Sequence, residues 1–214
     1  MVLKSFGCSF TWGTELSDCL DTVTANGYSQ KTWPALLANH LNIEYQCYAR
    51  GGAGNLYIVD QLLTQAALQI TPAFYVINWT WIDRFDYCNP FNNQWHSILP
   101  NSESSEYYYK NLHSQYRDKL TALSHIKLVI DTLTQKNVPF IMTCLDDLVF
   151  ETEWHTSPGI LDIQNYIRPH ITTFNGSNFL KWSRQNNYEI SEMWHPLEPA
   201  HQAAFEYVKN NHSL

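Results

Sequence analysis

The chain has 214 residues, a net charge of −7 and a hydrophobic fraction of 44%, with charged residues at only 15% and aromatics at 14%. A chain of this length buries roughly 70% of its unfolded surface without help from disulfides or metals, and so many aromatics exclude a disordered chain. The 13 basic residues are scattered, which argues against nucleic acid or an anionic membrane surface as partner.

Elements follow from the hydrophobic pattern. Val2–Phe6 reads as a strand beginning at the N-terminus, not as a signal peptide, because it lacks an apolar core and a small-residue cleavage site. Residues 7–27 are polar and glycine-punctuated, a loop. Residues 28–41 place Trp33, Leu36, Leu37 and Leu41 on one helical face. Residues 43–48 form a second strand, Gly51, Gly52 and Gly54 a turn, and residues 55–68 a helix through Leu56, Val59, Leu62, Leu63 and Ala66. Ala73–Trp79 is a continuous apolar run after Pro72, as in a buried strand. Residues 112–133 are expected to form a long helix with Leu112, Tyr116, Leu120, Leu123, Ile126, Ile130 and Leu133 as its inner stripe. A fourth strand covers 138–144, a short fifth 188–190, and a last helix starts near Pro199.

Strands alternating with helices imply a parallel sheet covered on both faces. The expectation is one domain over residues 1–214, with long loop insertions at about 84–110 and 146–178, since structureless stretches of that length are usually functional. No run reaches the roughly 18 apolar residues of a membrane span. Five cysteines, an odd number without a C-x-x-C pair, point to free thiols in a reducing, cytoplasmic compartment. There the N-x-S/T matches at Asn78, Asn175 and Asn211 carry no glycan.

In open α/β sheets, function gathers outside the carboxyl ends of the strands. One rim thus collects Ser9, the glycine turn with Asn55, Arg84, Asp146 and Asp147, and Glu192, His195 and His201. A serine hydroxyl is a poor nucleophile until a base takes its proton and donors hold the resulting oxyanion. His195 is the candidate base and Glu192, three residues earlier, the candidate orienting acid, with Asp146 as the competing carboxylate.

Gly7-Cys8-Ser9-Phe10-Thr11 resembles the first sequence block of the SGNH, or GDSL-type, hydrolases. Arg50-Gly51-Gly52-Ala53-Gly54-Asn55 is similar to their second block, and Glu192-Met193-Trp194-His195-Pro196 with Ala200-His201 to their last. The resemblance implies a flavodoxin-like three-layer α/β/α fold with a five-stranded parallel sheet of order 2-1-3-4-5. It also implies ester or thioester hydrolysis without metal or cofactor, with Ser9 as nucleophile, His195 as base and Glu192 as orienting acid. The oxyanion donors would be the N–H groups of Ser9 and Gly54, with Asn55. The sequence departs from the family pattern at Cys8 and Glu192, each in place of an aspartate, and at the third block. Thr80-Trp81-Ile82-Asp83 stands there without the oxyanion asparagine, leaving Asn55 or Asn78 to substitute.

Arg84, Trp81 and Trp95 are candidate substrate contacts. The aromatics of the 84–110 stretch either pack as a lid or form a platform for a sugar ring, so the expected substrate is a small-molecule or carbohydrate ester. His201 reads as structural and Asn55 equally as a helix cap. The pairs Glu192-x-x-His195 and Glu198-x-x-His201 match a di-iron spacing, but Pro196 and Pro199 break the helix such a site requires. Cys8 is a weaker nucleophile candidate, because neighbours on a turn point apart. A non-catalytic glycan- or protein-binding module and an acyltransferase remain the alternatives to a hydrolase.

Overall fold

Every residue of β1 (Val2–Phe6) and β3 (Ala73–Trp79) is buried, as befits strands covered on both faces. In the computed structural model, which describes residues 1–19, 27–68, 71–100 and 105–212, they form the centre of a four-stranded sheet. β2 (Glu44–Cys47) and β6 (Phe140–Cys144) flank them, all strands are parallel, and the order is β2-β1-β3-β6.

The period of two along each strand divides the interior into two layers. Val2 and Phe6 of β1, Tyr75, Ile77 and Trp79 of β3, and Met142 of β6 face one side. They pack on α3 (Asn55–Ala67), α5 (Gln115–Gln135) and α6 (Pro158–Ile167) through residues such as Ile58, Leu62, Ile126, Ile130 and Ile160. Leu3, Phe74, Val76 and Ile141 face the other side, against α2 (Trp33–His40), α7 (Phe179–Gln185) and α8 (Glu198–Asn211). The result is helices on both faces of a parallel sheet.

Four expectations need correction. Residues 188–190 do not become the fifth sheet strand. Ile190 makes an isolated antiparallel bridge with Pro196, so this segment closes the turn around His195. On the side of β6 away from β3 the described residues make an isolated parallel bridge, Met142 to Ile171, with Thr172 N–H donating to the Met142 carbonyl at 2.7 Å. The 84–110 stretch contains an antiparallel hairpin, β4 (Phe85–Cys88) with β5 (Trp95–Ile98), followed by α4 (Glu106–Asn111). Residues 101–104 of that stretch, and 20–26 of the first expected loop, lie outside the described residues.

In the 146–178 stretch, Ser157 caps α6 by accepting from Ile160 N–H, and Pro158 occupies its first turn. Finally, α5 starts at Gln115 rather than 112, capped by Ser114. Leu112, Tyr116 and Leu120 are exposed, and Lys119, Ala122 and Val129 turn inward instead. Lys119 is tolerated there because its ammonium donates to the Glu151 and Trp154 carbonyls at 2.6 and 2.5 Å. Among the described residues no helix is long and apolar enough to cross a membrane, and all five cysteines are free thiols.

Candidate active site

The chain leaves β1 through Gly7, where a Cβ would lie 2.2 Å from Thr11 Oγ1 and 2.9 Å from its Cβ. Only glycine permits this approach, and it lets α1 (Ser9–Trp12) start at once. Ser9 is thus the first residue of a four-residue helix, at the carboxyl end of a central strand. Gly13, in the left-handed region, ends the helix with its N–H on the Ser9 carbonyl.

His195 reaches the same place from the opposite end of the sequence. Ser191 N–H donates to the His195 carbonyl at 2.9 Å and Trp194 N–H to the Ser191 carbonyl at 3.0 Å, closing a tight turn with Trp194 at φ 70°. A bulky residue in that region carries a backbone cost of roughly 1–3 kcal/mol, which such sites often tolerate. His195 Nε2 lies 2.8 Å from Ser9 Oγ, and its Nδ1 lies 2.5 Å from Glu15 Oε2. Phe10 packs edge-on against the ring at 5.3 Å between centroids.

The carboxylate on His195 is therefore Glu15, not Glu192. Glu192 is exposed in the turn, whereas Glu15 projects from the loop after α1, itself at φ 69°. Burial pushes the Glu15 carboxyl up, but hydrogen bonds from Ser191 and His195 outweigh it and hold its pKa below the ordinary value. Asp146, the other carboxylate considered, is occupied elsewhere. Its Oδ2 accepts from Ile82 N–H and its Oδ1 from Leu148 N–H, at 2.9 and 3.0 Å, and burial raises its pKa. Glu15 carries no family spacing. Its only sequence signal is a carboxylate six positions after the serine, in a loop that leaves the same rim.

The expected oxyanion donors need revision. Gly54 N–H donates to Asp86 Oδ1 at 2.9 Å, so it is committed to β4. A Cβ on Gly54 would sit 2.6 Å from Asp86 Oδ2, which explains the glycine by the close carboxylate rather than by an oxyanion. The Asn55 side chain is tied to Thr80 at both ends, Nδ2 to its carbonyl at 3.2 Å and Oδ1 from its N–H at 2.9 Å. It spans α3 and the end of β3, and one of its two amide protons is left over. Asn78 accepts from Thr143 Oγ1 at 2.9 Å, inside the sheet.

Of the substrate candidates, Trp81 lies near the serine, edge-on to Phe10 at 5.7 Å, with the Arg84 guanidinium 4.6 Å over its ring. Arg84 also donates to the Ala53 carbonyl at 2.9 Å. Trp95 is not with them. Its Nε1 donates to Asp60 at 3.0 Å and its ring packs edge-on to Tyr57, against α3. His201 is fully buried. Its Nδ1 accepts from Trp33 N–H at 3.2 Å, and burial lowers its pKa to about 3. Glu198 accepts from Ser17 N–H at 2.8 Å, and hydrogen bonds from Ser17 hold its carboxyl at about 2. Cys8, the N-cap residue of α1, is fully buried.

A carboxylate, an imidazole and a hydroxyl in this order can pass a proton from the hydroxyl to Nε2 while the carboxylate steadies the cation formed. Solved structures carry the comparison further. A member of the lipolytic G-D-S-L protein family from Veillonella parvula aligns over 99% of this chain and 97% of its own, at 13% identity and TM-score 0.56. The chain shares the fold of this G-D-S-L lipolytic protein. The same fold is found in a psychrotrophic esterase from Pseudoalteromonas sp., in a structure inhibited by monoethylphosphonate (98% and 94% covered, 8% identity, TM-score 0.55). It also occurs in a carbohydrate esterase family 2 enzyme from Corynascus thermopiles, which carries a carbohydrate-binding domain besides. That enzyme aligns over 98% of this chain and 64% of its own, at 15% identity and TM-score 0.53. No family model matches the sequence, and no curated protein sequence does. The sheet puts the Ser9 turn at the carboxyl end of a central strand, where open α/β sheets place their sites.

Proposed function

We propose that the protein is a serine-dependent ester hydrolase of the esterase or deacetylase type. The observation that carries this reading is His195 held between Ser9 Oγ and Glu15 Oε2 at 2.8 and 2.5 Å. Ser9 Oγ attacks the ester carbonyl as His195 Nε2 takes its proton. The tetrahedral intermediate collapses, the C–O bond to the alcohol breaks, and Nε2 returns the proton to the leaving oxygen. Water, deprotonated by His195, then attacks the acyl-serine and releases the acid and free Ser9.

Glu15 takes the role expected of Glu192. The Ser9 N–H, in the first turn of α1 and so without an intrahelical acceptor, is the first oxyanion donor. The spare amide proton of Asn55 is the second. The test is hydrolysis of p-nitrophenyl acetate. Ser9→Ala should lower kcat at least about 10³-fold, and a Ser9→Ala rate within tenfold of wild type would overturn the assignment.

For the substrate we propose an acylated carbohydrate. A cavity of about 230 Å³ is walled by Trp81, Tyr109 and Trp154 with Asp83 and Gln115 among its polar groups; Ser9 and His195 lie outside its lining, and Trp81, packed on Phe10 beside the serine, joins the two. Flat rings beside hydrogen-bonding side chains suit a sugar, whose C–H face stacks on aromatics and whose hydroxyls need partners. The carbohydrate esterase with the same fold agrees with this reading. Trp154→Ala should raise KM for an acetylated xyloside about tenfold, the scale of one aromatic contact, and leave p-nitrophenyl acetate untouched. Equal effects on both substrates would remove the sugar from the proposal.

A further inference from the structure

Glu15 meets His195 across 180 positions of sequence, from an exposed loop with a left-handed residue. A glutamate side chain reached that way has three free torsions, and its own loop holds only the backbone. There Ser17 N–H bonds Glu198 and Asp18 accepts from Ser29 Oγ and Gln30 N–H. Something else must set the carboxylate's direction.

We propose that Ser191 is the positioning residue that fixes Glu15 against His195. The inference rests on the reading of His195 as the base for Ser9. Ser191 Oγ donates to Glu15 Oε2 at 2.5 Å, the same oxygen that His195 Nδ1 meets. The Ser191 hydroxyl in turn accepts from the His195 backbone N–H at 3.1 Å. With one lone pair accepting that N–H, its single proton is donated to the carboxylate. Ser191 N–H and the His195 carbonyl close the pair at 2.9 Å, so one tight turn sets the positions of the hydroxyl and the ring together.

The same turn explains why Glu192 is not used. With Trp194 at φ 70° and 60% exposed, the turn bulges outward between Ser191 and His195 and carries Glu192 into solvent. It presents a hydroxyl to the carboxylate of Glu15, and that acid arrives at the ring from the loop after α1. The low pKa of Glu15 agrees with this, since the Ser191 hydrogen bond is the largest of the influences that lower it.

The test reads the imidazole directly. Multiple-bond ¹⁵N NMR of protein labelled at histidine gives the tautomer of His195, assigned by its loss in His195→Gln. Wild type and Ser191→Thr, which keeps the hydroxyl, should hold a single Nδ1–H tautomer on the alkaline side of the ring's titration, where the imidazole is neutral. Ser191→Ala should shift it to a mixture of tautomers. In parallel, kcat on p-nitrophenyl acetate should fall roughly 10- to 100-fold in Ser191→Ala, the scale of one hydrogen bond to a charged group. KM should stay within twofold, and Ser191→Thr should recover most of kcat. Should Ser191→Ala unfold, Ser191→Cys, with similar volume and a poor donor, carries the same prediction. A His195 tautomer unchanged by removal of the hydroxyl overturns the proposal whatever the rates do. A wild type without esterase activity would sink the hydrolase reading alone, because the tautomer still reports the Ser191–Glu15–His195 contact.

Discussion

At Glu15 and Glu192 the molecule holds two glutamates with equal chemistry and unequal position. Glu15 touches His195 and Glu192 faces solvent. Glu15→Gln should keep the fold and cut kcat about 10²- to 10⁴-fold, as when a triad carboxylate becomes an amide. Glu192→Gln should leave kcat within twofold. Rates on p-nitrophenyl acetate, with circular dichroism as the check on folding, separate the two, and the reverse ranking would return the role to Glu192. The serine and the histidine were legible because each sits in a short local pattern, Gly-x-Ser-x-Thr at a strand end and His-Pro before a helix. Glu15 was not, because no local spacing records a contact made through a loop that returns across the rim. The bond from Gly54 to Asp86 was hidden for the same reason. A glycine before a helix reads alike whether its N–H serves an oxyanion or a buried carboxylate 32 residues away.

At the scale of elements, the β4–β5 hairpin is anchored through Asp86. Its carboxylate accepts from the N–H groups of Gly54 and Tyr57 at the start of α3, and from Ser97 Oγ. A buried carboxylate at a helix N-terminus also meets the positive end of the helix dipole. Arg50 completes the anchor by donating to the Trp95 carbonyl and Ser97 Oγ at 2.5 and 2.7 Å. Asp86→Ala strands two N–H groups, and at about 1–3 kcal/mol each it should lower unfolding free energy by a few kcal/mol in urea. A loss under about 0.5 kcal/mol, the range of ordinary surface changes, would show that the anchor does not matter. The hairpin itself is not legible in the sequence, since four-residue strands with an Asn-rich turn give too short an alternation to register. By contrast Ala73–Trp79 declared itself fully, because a strand buried on both faces is apolar throughout. The inner face of α5 departs from the apolar stripe at its start because Lys119, a charged residue, points inward there, and its two carbonyl partners in the 151–154 turn make that possible.

For the whole molecule, the two buried layers give stability and the rim groups give it a pH dependence. His201 in the folded chain has a pKa near 3, below the ordinary 6.5, because burial opposes its charge. Its contribution is complete above about pH 6.5 and declines as pH falls toward 3, since the unfolded chain takes up the proton first. Glu198, held at about 2 from an ordinary 4.5, adds a second decline below about pH 4.5. Thermal midpoints should therefore fall on acidification from pH 7 to 5, before Glu198 contributes. His201→Gln should be less stable overall yet flatter over that interval. An equally steep fall in His201→Gln would assign the dependence to other groups.

The central claim is that Ser9 is activated by His195 and Glu15. The measurement that tests it most directly is fluorophosphonate labelling of the purified protein with the adduct located by mass spectrometry, since it needs no knowledge of the substrate. We expect one adduct per chain, on Ser9, abolished in His195→Ala and slowed at least about 100-fold in Glu15→Gln. A folded protein that takes up no label, or labels equally well without His195, would contradict the claim and leave the rim as a binding site.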